Sequence, residues 1–136
     1  MQFNAYGNAG IEGTHKGVLE FTQRTSVIPK GDSVIGTRAD FEPEAISALA
    51  TVSKKIKITL KVRSFSETIT GDVNKAFLPG ADVIIRKGPQ CSPGTLLINA
   101  DKSAGDLSKK MIELLKNPEE VSPGNLQTRL KIVQYH

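Results

Sequence analysis

Three side chains carry chemistry suited to proton transfer: His15, Asp40 and Asp101. An imidazole titrates near pH 6.5, so it exchanges protons close to neutrality. Two carboxylates held close together acquire split pKa values and can share a proton or grip a cation. Asp40 and Asp101 each close a short extended segment ending in Ala-Asp and precede a helical pattern. A carboxylate at such a junction also serves structure alone, by accepting backbone N–H groups and meeting the positive end of a helix. His15 has a structural alternative as well, bonding a backbone carbonyl at a barrel rim, because no second titratable group stands at a fixed spacing from it. A strand that starts this early would set it on one face with Leu19 and Phe21. Strand-to-helix junctions also suit anions. That makes Arg38 and Lys102, beside the two aspartates, candidate ligand-binding residues together with Thr14. The Asp-Thr-Gly or Asp-Ser-Gly loop of aspartic proteases is missing, so proteolysis is not expected.

Lys55, Lys57, Lys61 and Arg63 share one face of a strand-like segment, and Arg129 and Lys131 occupy a similar segment near the C-terminus. Side by side, these cations could track a phosphate backbone. The charge is uneven: residues 1–50 hold four Lys/Arg against six Asp/Glu, net −2, while residues 51–136 hold fourteen against eight, net +6. That asymmetry points to RNA or another polyanion, although lysines on a solvated sheet face also keep a small protein in solution. Tryptophan is absent and the only tyrosines are Tyr6 and Tyr135, so base stacking is scarce and any binding is expected to be electrostatic and weakly sequence-specific. The lone Cys91 excludes an internal disulfide and a cysteine zinc cage, and its loop, 88–93, offers it no base. No phosphate-cradling glycine loop, nucleophile elbow or zinc spacing occurs, so neither a metal nor a cofactor is expected.

The elements that would hold these residues follow from periodicity. Ile56, Ile58, Leu60 and Val62 alternate with Lys55, Lys57, Thr59 and Lys61, which predicts a half-buried strand, and Leu126, Thr128, Leu130 and Ile132 repeat the pattern. Ala104, Leu107, Met111, Leu114 and Leu115 predict an amphipathic helix over 103–116, capped by Asp101 or Ser103 and stopped at Asn117-Pro118. A first helix starts at Glu42-Pro43-Glu44 and sets Ala45, Ile46, Leu49 and Val52 toward the core. Residues 64–74 read as extended, with Gly71-Asp72 as a turn.

Two stretches of the chain look alike. Ser33-Val34-Ile35-Gly36-Thr37-Arg38-Ala39-Asp40 aligns with Gly94-Thr95-Leu96-Leu97-Ile98-Asn99-Ala100-Asp101, residues 18–22 with 82–86, and residues 57–62 with 128–133. The order strand, strand, helix, strand thus occurs twice, over about 14–63 and 78–133, within a single domain spanning 1–136. The expected fold class is α+β: a small β-barrel built from two such repeats with pseudo-two-fold symmetry. Closure would remove exposed strand edges. The segment 27–34, with Gly31-Asp32 at its centre, resembles the turn of double-psi and related cradle-loop barrels. An open two-layer α+β sandwich is the alternative. No apolar run reaches the ~18–20 residues that span a bilayer, and the first residues lack a basic-then-apolar leader, so no membrane role and a cytoplasmic location are expected.

Thr14-His15-Lys16, Leu19-Glu20-Phe21-Thr22, Pro29-Lys30-Gly31-Asp32, Ile35-Gly36 and Ala39-Asp40 resemble an archaeal family, domain-of-unknown-function family 371. The similarity continues through Asp82-Val83-Ile84-Ile85-Arg86-Lys87 and Asn99-Ala100-Asp101-Lys102-Ser103-Ala104 to Asn117-Pro118-Glu119. The resemblance implies a small archaeal intracellular protein and brings no activity with it. Where the family pattern has a second Thr-His-Pro element, this chain has Leu78-Pro79-Gly80, so a symmetric two-histidine site is absent. The function expected from all this is a non-catalytic binding module, for RNA through the basic strand face. The alternative is a small-ligand-binding protein or a hydrolase-type enzyme with its site around His15, Asp40 and Asp101.

Overall fold

The computed structural model of the chain describes residues 1–27 and 31–117. Alternating apolar and polar residues become strands in which every second side chain is buried. In β3 (Lys55–Val62), Ile56, Ile58, Leu60 and Val62 are fully buried, and the intervening lysines face outward. The other strands are β1 (Val18–Thr22), β2 (Val34–Gly36), β4 (Phe65–Val73), β5 (Asp82–Arg86) and β6 (Thr95–Ile98). Helix α1 (Pro43–Val52) follows β2, while a 3₁₀ turn (Ala104–Asp106) and helix α2 (Lys109–Lys116) follow β6. The strands form one mixed sheet in the order β2-β1-β5-β6-β4-β3. The sheet curls into a half-barrel, so α2 touches both edge strands, β2 and β3. Inside lie Leu19, Phe21, Ile35, Ile69, Ile85 and Leu97, with Phe3 packed edge-on against Phe21 and Phe41 at 5.6 and 5.2 Å. The fold is thus mixed α+β with a barrel-like sheet.

Several details repeat on either side of the antiparallel β1–β5 pair. β1–β2 and β5–β6 are both parallel, and each carries an irregularity at the same step, Glu20/Phe21 in one and Ile84/Ile85 in the other. Arg38 and Asn99 both adopt positive φ, 50° and 51°. Asp40 and Asp101 each donate a backbone N–H to a carbonyl, of Asn4 and Thr70, and take that same residue's N–H on a carboxylate oxygen. Asn8 and Asn74 each fold a side-chain oxygen back onto the N–H two residues on.

Elsewhere the elements depart from what periodicity predicts. The helix expected over 103–116 is broken in two. Ser103 Oγ and N–H both donate to Asp106 Oδ2, which ends a 3₁₀ turn, and Ser108 then caps a new start by accepting the Met111 N–H at 3.1 Å. Asp101 caps neither. In α1 the buried face is Ile46, Leu49 and Ala50, whereas Ala45 is exposed and Val52, the last helical residue, is 68% exposed. Gly71-Asp72 makes no turn, since both lie inside β4. Glycine suits that position because a Cβ would come within 3.1 Å of the Ile98 carbonyl on β6, closer than ordinary contact. The strand expected at 128–133 and part of the 27–34 turn lie outside the described residues.

Candidate functional site

His15 precedes β1 instead of lying in it. Its Nδ1 accepts the backbone N–H groups of Gly17 and Val18, both at 2.9 Å. The lone pair is therefore in use, and the neutral ring carries its proton on Nε2. Those two bonds occupy the lone pair that a general base or a metal ligand would need. The loop ahead of the helix is docked on the same residue, because Gly105 donates its N–H to the His15 carbonyl at 2.8 Å.

The two aspartates are as fully engaged. Asp40 takes the Asn4 N–H at 2.7 Å and the Asn4 side-chain amide at 3.0 Å, and Asp101 takes the Thr70 N–H at 3.0 Å. They do not meet. Ala39 donates to the Thr22 carbonyl and Ala100 to the Arg86 carbonyl, so the aspartates follow opposite ends of the β1–β5 ladder, where Thr22 faces Asp82 and Val18 faces Arg86. His15 shares the Arg86 end with Asp101 and is remote from Asp40 along the strands. Arg38 lies over the Tyr6 ring at 4.4 Å, and Lys102 pairs with Glu67 at 3.6 Å. Among the described residues no three His, Cys, Asp or Glu side chains converge into a group able to hold a metal.

On the basic face of β3, Lys55 is bound to Asp72 at 2.6 Å, which removes one cation from the stripe, and Lys57 is half-buried. Lys61 and Arg63 are exposed at the far end. Arg63 opens the β3–β4 hairpin at a φ of 55°. That left-handed conformation costs a non-glycine residue roughly 1 kcal/mol. Arg129 and Lys131 lie outside the described residues.

A well-formed concavity lies elsewhere. A cleft of about 660 Å³ opens between the turn at 12–16 and α2, a size typical of small-molecule sites. Gly13, Leu107 and Ile112 supply its apolar surface. Gly13 has a φ of 63°. A Cβ there would strike the Ile112 side chain, so the turn reaches the helix only through glycine. Around the apolar surface stand Lys16, Lys87, Lys109 and Lys116, with the carboxylates Glu12 and Glu113 among them and Thr14 on the turn. Lys87 is paired with Asp106 at 3.0 Å. The other three amines have no ion-pair partner among the described residues. Asp106 also holds the Ser103 N–H and hydroxyl, and these bonds keep its carboxyl down at about 2, so its charge is already engaged. Of the residues singled out from sequence, only Thr14 lines this cleft. The lysines carried one signal, the seven-residue spacing of Lys109 and Lys116 on a single helix face.

A second polar cluster sits on the outer face of the central strands. Glu20 meets the Ser33 hydroxyl at 3.4 Å and Arg24 at 4.0 Å, and Arg24 reaches Asp82 at 3.4 Å. Burial, and then the nearby Asp82, push the Glu20 carboxyl up from its ordinary value, against the opposing pull of Arg24.

Fold and site together define a small mixed α+β protein with a half-barrel sheet and a lysine-rimmed cleft under its second helix. The chain belongs to the family described as domain of unknown function DUF371, which matches residues 3–126. It is similar to an uncharacterized protein of Methanocaldococcus jannaschii, with 34% identity over 130 residues covering 89% of this chain and 96% of the relative. No helix among the described residues is long and apolar enough to cross a membrane.

Proposed function

We propose that this protein is a non-catalytic binding module whose ligand occupies the cleft between the 12–16 turn and α2. The observation that carries the reading is the combination of an apolar floor with Lys16, Lys109 and Lys116, amines without an ion-pair partner among the described residues. The engagement of His15, Asp40 and Asp101 by backbone N–H groups favours binding over catalysis. The module is a duplicated unit, supported by the repeated register shifts, positive-φ residues and aspartate bonds on either side of the β1–β5 pair. A reducing, cytoplasmic setting fits the single exposed Cys91.

The RNA reading survives on one observation, the exposure of Lys61 and Arg63 at the end of β3. A backbone-amide NMR titration separates the two, using octanoate as the small probe and single-stranded RNA as the polyanion. Octanoate-induced shifts confined to residues 12–16 and 105–116 support the cleft. Its failure to shift them at about 50 mM, well beyond a millimolar dissociation constant, overturns that reading. Shifts along 55–63 with RNA, abolished by Lys61→Glu/Arg63→Glu and falling steeply with salt, would install the polyanion reading instead.

A further inference from the structure

The cleft is not uniformly basic, and its charge has an order along the helix. Lys109 and Lys116 open and close α2 on the same face, seven residues apart. A rise of about 1.5 Å per residue separates them by roughly 10 Å along the axis. Glu113 stands between them and also lines the cleft, its carboxylate 4.0 Å from Lys110. Ile112 lies beside it, over Gly13. Lys16 and Lys87 belong to the Lys109 end. The carbonyl of Gly17, next to Lys16, accepts the Lys87 backbone N–H at 2.9 Å, and the Lys87 amine reaches Asp106, three residues ahead of Lys109. From one end to the other the wall therefore reads three cations, of which Lys87 is held by Asp106, an apolar stretch flanked by two carboxylates, Glu113 on the helix and Glu12 beside Gly13 on the turn, and one cation.

Resting on the binding-module reading, we infer that the ligand is an elongated molecule with an anionic group at each end of an apolar body about 10 Å long. An anion at the centre would face Glu113 and be repelled, whereas anions at the ends meet amines without crossing it. A ligand with a single head would satisfy the Lys109 end and leave Lys116 unused. Carboxylates and phosphates meet the end-group requirement alike, because each offers oxygen acceptors to ammonium donors.

The experiment compares sebacate, a straight-chain diacid of matching length, with octanoate and with the short diacid succinate, again by amide NMR and at low salt, where ion pairing is least screened. Sebacate should bind at least tenfold more tightly than octanoate, a difference of about 1.4 kcal/mol. Lys109→Gln and Lys116→Gln, both at exposed positions, should each erase that advantage, and Glu113→Gln should strengthen sebacate binding. A parallel arm with a bisphosphate of similar length identifies which anion is preferred. If sebacate binds in the cleft no better than octanoate, or if Lys116→Gln leaves its affinity unchanged, the two-ended ligand is wrong while the cleft reading stands. If none of the probes shifts residues 12–16 and 105–116, the cleft reading itself has failed.

Discussion

At the scale of single residues, the side chains with the richest chemistry are spent on the backbone. His15 acts as the side chain of an Asx turn would, gathering two successive N–H groups at the entrance to β1. If that is its task, any side chain presenting an acceptor at the same reach will serve. His15→Asn is expected to leave stability within about 0.5 kcal/mol of wild type, whereas His15→Leu should cost roughly 1–2 kcal/mol by stranding both N–H groups. Urea denaturation at pH 7 checks this. Equal losses in the two variants would mean that the imidazole has a role which a turn acceptor cannot replace. Composition could nominate His15, Asp40 and Asp101 but could not reveal their partners, since Asn4 and Thr70 lie 36 and 31 residues from the aspartates that hold them.

Elements were legible where one local pattern decided them. β3 declares itself in the sequence because its alternation is unbroken over eight residues. Gly71 misleads, because the close approach it accommodates is to the Ile98 carbonyl on another strand, and nothing beside it in sequence records that contact. The break between the 3₁₀ turn and α2 was written locally, as the spacing Ser103-x-x-Asp106 followed by Ser108, but the apolar periodicity running through 104–115 masks it. α2 was recognisable as amphipathic, yet its task was not, because that depends on the curl of the sheet. Short as it is, it cannot be stable alone, and it spans the gap between β2 and β3. Its Leu115 is fully buried, and the Leu115 carbonyl takes the Asn8 N–H at 2.9 Å. A Cβ on Gly7 would collide with that same carbonyl. Leu115→Ala should therefore cost roughly 2–5 kcal/mol and lower the whole unfolding transition as one step, seen at the same urea concentration by helix and sheet signals. Loss of the helical signal ahead of the sheet would show α2 to be an appendage rather than a closing wall.

For the whole molecule, stability against pH is the sum of carboxylates shifted in opposite directions. Asp106 and Asp72 are held below their ordinary values, Asp106 by Ser103 and Lys87, and Asp72 by Lys55 and Asn99. Each prefers to be ionised in the folded state. Their contribution is complete above pH ~3.8, the unfolded value, and drains away as pH falls, for Asp106 through about 2. Glu20 runs the other way. Its folded pKa is raised, so its favourable contribution exists below the unfolded value of 4.5 and is lost as pH climbs through the folded one. At neutrality the protein consequently carries an ionised Glu20 that burial and Asp82 both disfavour, relieved in part by Arg24. Glu20→Gln removes that charge while keeping the shape and an acceptor for the Ser33 hydroxyl. It should stabilise the protein at pH 7, and the gain should vanish as pH falls below the unfolded value of 4.5, where wild-type Glu20 is itself protonated. Asp106→Asn should do the reverse, weakening the protein at pH 7 and converging on wild type only near pH 2. Thermal melts of the three proteins across pH 2–8 test both limbs together. A Glu20→Gln variant less stable than wild type at pH 7 would mean that the Arg24–Glu20–Asp82 row is a net stabilising network, and that the outer face of the central strands is held by its charges rather than in spite of them.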